Sequence, residues 1–172
     1  EISKRGERLA KKIAEFWPAP ELDPNNPYIR NEPKKVRFPT RQLRDASFQR
    51  IKTELGRDFE KFSDTRYIDK KDSMHLIVPA SRPYEEDGHI GSWFGFQQRQ
   101  LDFANDCKEC LIAFCCGSPN RIVIFNKEEW IPLLDKMQTS SELEGSDEVR
   151  HWHVQIDWKK DSIELLQPKA EL

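Results

Sequence analysis

No run of apolar residues in this sequence approaches the ~18 that a helix needs to cross a bilayer, so no membrane span is expected. The start, EISKRGERLAKK, holds no apolar h-region, which argues against a secretory signal there. Cysteine is missing from most of the chain: all four residues lie in CKECLIAFCC, Cys107 to Cys116. Without a secretory signal, such a cluster fits a reducing compartment better than a disulfide framework, and the expected location is cytoplasmic. There is no P-loop, GxGxxG, GxSxG or HExxH, so nothing singles out a phosphate cradle, a nucleophile elbow or a zinc-protease helix. The chain has no repeat period and no low-complexity tract.

What is present is charge. Of 172 residues, 34% are charged and 37% apolar, the profile of one domain with a heavily solvated surface and enough length to bury a core. The net charge of −2 conceals a split. Residues 1–71 hold 18 Lys and Arg against 12 Asp and Glu; residues 72–172 hold 10 against 18. The balances are +6 and −8. A basic first part is an electrostatic footprint for an anionic partner, although solvated helix faces give the same count.

Leu9, Ile13 and Phe16 recur at spacings of four and three behind Ser3, which predicts an amphipathic helix over 3–16. Four prolines between Trp17 and Tyr28 then favour an extended connector. The chain therefore reads as an N-terminal helix with a proline-rich linker, 1–27, and a single α+β domain, 28–172. In PTRQLRDASFQRIKTELG, Thr40 is the candidate cap and Leu43, Ser47, Ile51 and Leu55 form an i+4 row. Gly56 is placed to end that helix, and RDFEKF is expected to add a short further turn. After residue 72 the signal changes to strands: MHLIVPA, IGSWFGF, CLIAFCC, RIVIF, HWHVQIDW and IELLQ. GSPN joins CLIAFCC and RIVIF into a hairpin. QQRQLDFANDCKE and NKEEWIPLLDKM read as helices, the second capped by Asn126 with Glu128 and Glu129 in its first turn. The expected fold is α+β, a central mixed or antiparallel sheet flanked by helices, with an N-terminal helical extension.

The cysteine cluster allows three readings. Cys115 and Cys116 are adjacent in a strand and point to opposite faces, so they cannot share a metal from one side. A zinc site would need Cys107 and Cys110 with two further ligands, and His151 and His153 are the candidates because i and i+2 share a strand face. A redox CxxC wants its first cysteine at a helix N-terminus, whereas this pair follows a helix. The favoured reading is structural: no metal, no disulfide, and CLIAFCC as a central strand covered on both faces.

HWHVQIDW alternates, with Trp152, Val154, Ile156 and Trp158 on the core side and His151, His153, Gln155 and Asp157 on the other. The polar side is either a solvated face or the lining of a groove in which paired imidazoles bind metal, touch phosphate or move protons. A Mg²⁺-dependent nuclease would need a carboxylate and a (D/E)xK tripeptide on adjacent strands. Four such tripeptides occur, Glu32/Lys34, Asp69/Lys71, Asp106/Lys108 and Asp157/Lys159, against about 2.6 expected by chance, so the count carries no signal. The most suggestive polar cluster is KKVRFPTRQLR. Lys34, Lys35, Arg37, Arg41 and Arg44 lead into a helix N-terminus, with Phe38 among them. That arrangement suits phosphate contact, with exposed aromatics available to stack on bases.

WFGFQQRQLDF, LIAFCCGSPNRIVIF, WIPLLDKMQTS and RHWHVQID follow one another in that order. The series resembles a C-terminal region of uncharacterised prokaryotic proteins linked to restriction systems and mobile elements, some of which look like degenerate relatives of the PD-(D/E)XK nuclease fold. The resemblance covers about residues 90–157 and rests on structural motifs. It implies a nuclease-like α+β fold in a restriction or defence setting. This sequence departs from the active pattern, because no acidic residue and (D/E)xK pair fall on the expected strands.

The leading expectation is a DNA-binding module of a prokaryotic DNA-processing or defence protein, without a cofactor. Its partners would be nucleic acid and other subunits or domains of a larger protein. The alternatives are a divergent nuclease using Mg²⁺ and a protein-interaction domain that docks through its acidic C-terminal part.

Overall fold

Leu43, Ser47 and Ile51 are buried, each one turn beyond the last, along helix α1 (Thr40–Leu55). Gly56, at φ 61°, closes the helix in the left-handed region where a side chain is disfavoured. The protein is described by a computed structural model over residues 40–86, 89–141, 149–159 and 162–166. The helix expected over 3–16, the proline-rich connector, and Lys34, Lys35 and Arg37 lie outside the described residues.

After α1 come β1 (Phe59–Lys61), β2 (Arg66–Asp69), β3 (His75–Ile77), β4 (Ala80–Ser81), β5 (Pro83–Glu86) and β6 (His89–Gln97). Helix α2 (Gln98–Asn105), β7 (Cys110–Cys116), β8 (Ile122–Asn126) and α3 (Lys127–Leu134) follow. The described chain ends with β9 (Thr139–Ser141), β10 (Val149–Trp158) and β11 (Ile163–Leu166). The class is α+β, as expected. The further helical turn expected in RDFEKF is instead β1. Gly56 has already ended the helix, and Phe59, Glu60 and Lys61 find antiparallel partners in Asp69, Ile68 and Tyr67. Pairing across the sheet overrides the local preference.

Among the described residues the strands form two sheets. The first runs β1-β2-β3-β7-β4, with β8 also on β7. It is mixed: β3 and β4 are parallel to β7 and β8 is antiparallel. β3 and β4 lie on the same side of β7 as one line of chain interrupted at Val78 and Pro79, since a proline has no N–H for the ladder. The Pro79 carbonyl still accepts from Cys115 N (2.9 Å). The second sheet, β11-β10-β6-β5 with β9 on β10, is antiparallel throughout. The crossing from one sheet to the other is made at Ser81–Pro83. Ser81 Oγ accepts from Trp93 N (3.1 Å), and Gly117 N donates to Ser81 O (3.0 Å).

CLIAFCC is the central strand that its apolar run implied. Cys110, Ile112, Phe114 and Cys116 face a core shared with Phe94, Phe96, Trp152, Val154 and Ile156 of the second sheet. Ala113 and Cys115 face the opposite way, into the core under α1 with Leu43, Ile51, Tyr67 and Val78. The layers are therefore α1, the first sheet, then the second sheet, with α2 and α3 filling the shared core through Phe103, Ala104, Trp130 and Leu134. The Asn126 cap expected for α3 is made: its side chain accepts from Glu129 N (2.8 Å) and Glu129 reaches back to Asn126 N (3.4 Å).

Candidate nucleic-acid interface

Of the five basic residues singled out by sequence, Arg41 and Arg44 are described. They lie one turn apart at the start of α1, whose first turn holds no acidic residue. Arg41 is exposed. Arg44 is half-buried, and its Nη1 donates to the carbonyl of Asp64 (3.1 Å), fastening α1 to the turn before β2. Arg41 is thus exposed, whereas Arg44 is engaged with the fold. The next cations on the helix are also engaged. Arg50 donates to Pro119 O (3.1 Å) and Asn120 Oδ1 (2.6 Å), and Lys52 pairs with Asp58 (2.6 Å).

All four cysteines are free thiols. Cys110, Cys115 and Cys116 are buried; Cys107, half-buried after α2, donates to Ala104 O (3.4 Å) and Glu109 O (3.2 Å). Burial pushes the Cys115 thiol up to about 12 and raises those of Cys110, Cys116 and Cys107 as well. A thiol held protonated is a poor nucleophile, which suits core packing and not redox chemistry. The zinc constellation is not assembled. Cys110 begins β7 and Cys107 precedes it, while His151 and His153 sit on the second sheet. Among the described residues no group of three or more His, Cys, Asp or Glu is placed to share a metal ion.

The acid–lysine tripeptides are likewise engaged in local structure. Asp69 Oδ1 accepts the N–H groups of Lys71 (2.6 Å) and Asp72 (3.2 Å), and Arg57 lies 3.3 Å from its other oxygen. These contacts build the turn between β2 and β3. Lys159 pairs with Glu164 across the β10–β11 hairpin (2.6 Å). Asp106 and Lys108 line an open cleft of about 490 Å³ with Arg57, Ser73, His75 and Cys107, at the amino ends of β3 and β7. There Arg57 is held by Asp72 (2.7 Å), and His75 Nδ1 hydrogen-bonds Phe103 O (2.7 Å). Glu32 and Lys34 lie outside the described residues.

The polar side of HWHVQIDW does line up on the outward face of the second sheet. Trp152, Val154 and Ile156 are buried, whereas His151, His153 and Gln155 are half-buried; Asp157 departs from its neighbours at 5% exposure. Sequence reasoning missed Trp93, which it grouped with Phe94 and Phe96 as one aromatic strand. Phe94 and Phe96 point inward, and Trp93, just before them on β6, points out with 47% of its surface exposed. The period of two was there to separate them. On that face the Trp93 ring lies 5.2 Å from His153 and 6.2 Å from His151, and the two imidazoles are 4.8 Å apart. Gly91 and Gly95 flank Trp93. A Cβ at Gly91 would meet the Tyr84 ring at 2.1 Å, and one at Gly95 would meet His151 at 3.2 Å. The glycines thus leave room for two neighbouring rings to lie on the strand. Gln155 Nε2 donates to the Tyr84 hydroxyl, and the Ser140 hydroxyl hydrogen-bonds the His151 ring (Nε2 at 3.0 Å).

What these elements define is an α+β domain with two packed sheets, one basic helix start and one aromatic outer face. Among the described residues no helix is long and apolar enough to cross a membrane. Comparison of the chain with protein-family models, with curated proteins and with solved structures gave no match.

Proposed function

We propose that the domain is a nucleic-acid-binding module of a prokaryotic DNA-processing or defence protein, and that it grips the phosphate backbone at the start of α1. The observation that carries this reading is the exposed Arg41 in an acid-free first turn, directly behind Lys34, Lys35 and Arg37 in the chain. A helix start presents unpaired N–H groups and the positive end of the helix dipole, and both favour phosphate. Phosphate contacts position a protein without reading sequence, so the module would bind many duplexes alike. The resemblance of residues 90–157 to restriction-linked proteins supplies the setting.

The test is a titration of duplex DNA at several salt concentrations, wild type beside Arg41→Ala and beside Lys34→Ala/Lys35→Ala/Arg37→Ala. Each lost phosphate contact should flatten the log–log slope by about 0.9. Arg44→Ala is unsuitable for this purpose because Arg44 also ties α1 to the Asp64 carbonyl. Salt-independent binding, or unchanged slopes in both variants, refutes the reading. Mg²⁺-dependent cleavage in the same samples would restore the nuclease alternative.

A further inference from the structure

We infer that the outward face of the second sheet is a separate stacking site for an unpaired nucleobase, built on Trp93. The inference goes beyond the α1 reading and does not depend on it. α1 covers one face of the first sheet, and the second sheet packs on the other, so the Trp93 face looks away from α1.

An indole exposed in the middle of a four-strand path is unusual, because β6 is flanked by β10 and β5 and is no frayed edge. Phe62 is more exposed, at 58%, but its ring already has Phe103 at 5.1 Å and the Arg66 guanidinium at 5.1 Å. Around Trp93, His151 lies perpendicular to the indole and His153 tilted to it, and 47% of the Trp93 surface stays exposed. Tyr84 lies over Gly91 and His151 over Gly95, so the rings form a row along the strand direction.

The chemistry of that row narrows the occupant. Its described members nearest Trp93 are His151, His153, Gln155 and Tyr84, aromatic and polar side chains that suit a flat heterocycle better than an apolar helix. One exposed indole supplies a fraction of its ~150–250 Å², far below the ~800 Å² per partner of a stable protein interface. Bases stack on such platforms without regard to sequence, and the His153 imidazole beside the indole is a group that can hydrogen-bond a phosphate or a base edge. A duplex hides the faces of its bases, so this face selects single strands, loops or ends.

The experiment is fluorescence anisotropy with three labelled probes at equal phosphate number: oligothymidylate, an abasic oligomer and a duplex. Wild type should bind oligothymidylate more tightly than the abasic oligomer. Trp93→Ala should weaken oligothymidylate binding roughly 5- to 150-fold, the range for loss of one stacked base. Trp93→Phe should retain part of it, and neither change should alter the duplex salt slope. Far-UV circular dichroism and the melting temperature should be unchanged, since Trp93 is half outside the fold. A second variant, Gly91→Ala, displaces the Tyr84 ring and should weaken oligothymidylate binding with Trp93 intact. Equal binding of the abasic oligomer, or full binding by Trp93→Ala, overturns the inference. So does Trp93-dependent binding of an oligosaccharide with none of oligothymidylate. Loss of the α1 effect with the Trp93 effect retained would refute the proposed function and leave this site standing; the reverse outcome would do the opposite.

Discussion

Truncating Ile112 and Ile124 to alanine tests the two-core arrangement directly. Both are isoleucines in paired strands of one hairpin, and local propensity treats them alike. The fold does not. Ile112, on β7, is fully buried and lies in the core between the two sheets. Ile124, on β8, faces the α1 side and is half-buried at its margin. Ile→Ala removes about three carbons, worth roughly 2.4 kcal/mol at ~0.8 kcal/mol per methylene. At Ile112 a cavity term adds to this, because Phe114, Phe125 and the second sheet cannot collapse onto the gap, giving about 4 kcal/mol within the usual 2–5. At Ile124 only part of that surface leaves water and the hole opens to solvent, so about 1 kcal/mol is expected. Against a typical domain stability of ~5–15 kcal/mol, the first loss is large and the second modest. Urea unfolding followed by circular dichroism, with m held common, gives both numbers from the midpoints. Equal losses, or a larger one at Ile124, would mean that β7 does not present its even-numbered residues to the shared core.

Gly117 sits at φ 72° with Pro83 only 2.5 Å from where a Cβ would stand, so Gly117→Ala should cost about 2–3 kcal/mol by the same measurement. Gly56→Ala meets nothing within 4 Å and should cost about 1 kcal/mol. The Asp69 carboxyl is held below its ordinary range first by the Lys71 N–H and further by the Asp72 N–H and Arg57, against the opposing effect of burial. Its folded pKa being the lower one, the stabilisation is complete above the unfolded value near 3.8 and fades as pH falls through the folded value. Asp69→Asn should flatten the acid limb of a stability–pH curve and leave its neutral limb lower; an unchanged acid limb would refute the assignment. Titration with a disulfide reagent should find Cys107 first and the other three only on unfolding, because only Cys107 reaches the surface. Rapid reaction of four thiols in the native protein would contradict the buried strand.

The opposite placement of the two candidate surfaces has a mechanical consequence. A ligand that touched both α1 and Trp93 would have to pass around the edge of the sandwich. Two short contacts on opposite layers suit a junction, with duplex on one side and a loose strand on the other. They do not suit a single groove. A forked substrate should therefore bind more tightly than either arm alone, by the effective-concentration gain of a linked second contact. Anisotropy with a duplex, a single strand and their fork compares the three; a fork no tighter than its better arm would separate the two surfaces functionally.

The elements that repeat a simple period were legible in the sequence. The i+4 row of α1, the antiparallel hairpin across GSPN and the capped start of α3 all rest on short-range rules. What escaped depends on contacts far apart in the chain. The division into two sheets depends on Ser81, Pro83 and Gly117 meeting across some 35 residues. The candidate surfaces divide the same way. Composition marked Arg41 and Arg44 together, but only the Asp64 carbonyl, twenty residues from Arg44, distinguishes the free side chain from the tethered one. For Trp93 the alternation Gly91, Trp93, Gly95 against Ser92, Phe94, Phe96 was already in the sequence. A period of two sorts residues into two sets and is silent on which set meets water. That choice is made by Phe114 and Trp130, whose rings pack against Phe94 and Phe96 at 5.0 and 5.5 Å and draw that set inward. The indole is left outside by the packing of its neighbours, so the candidate site follows from how the core is filled.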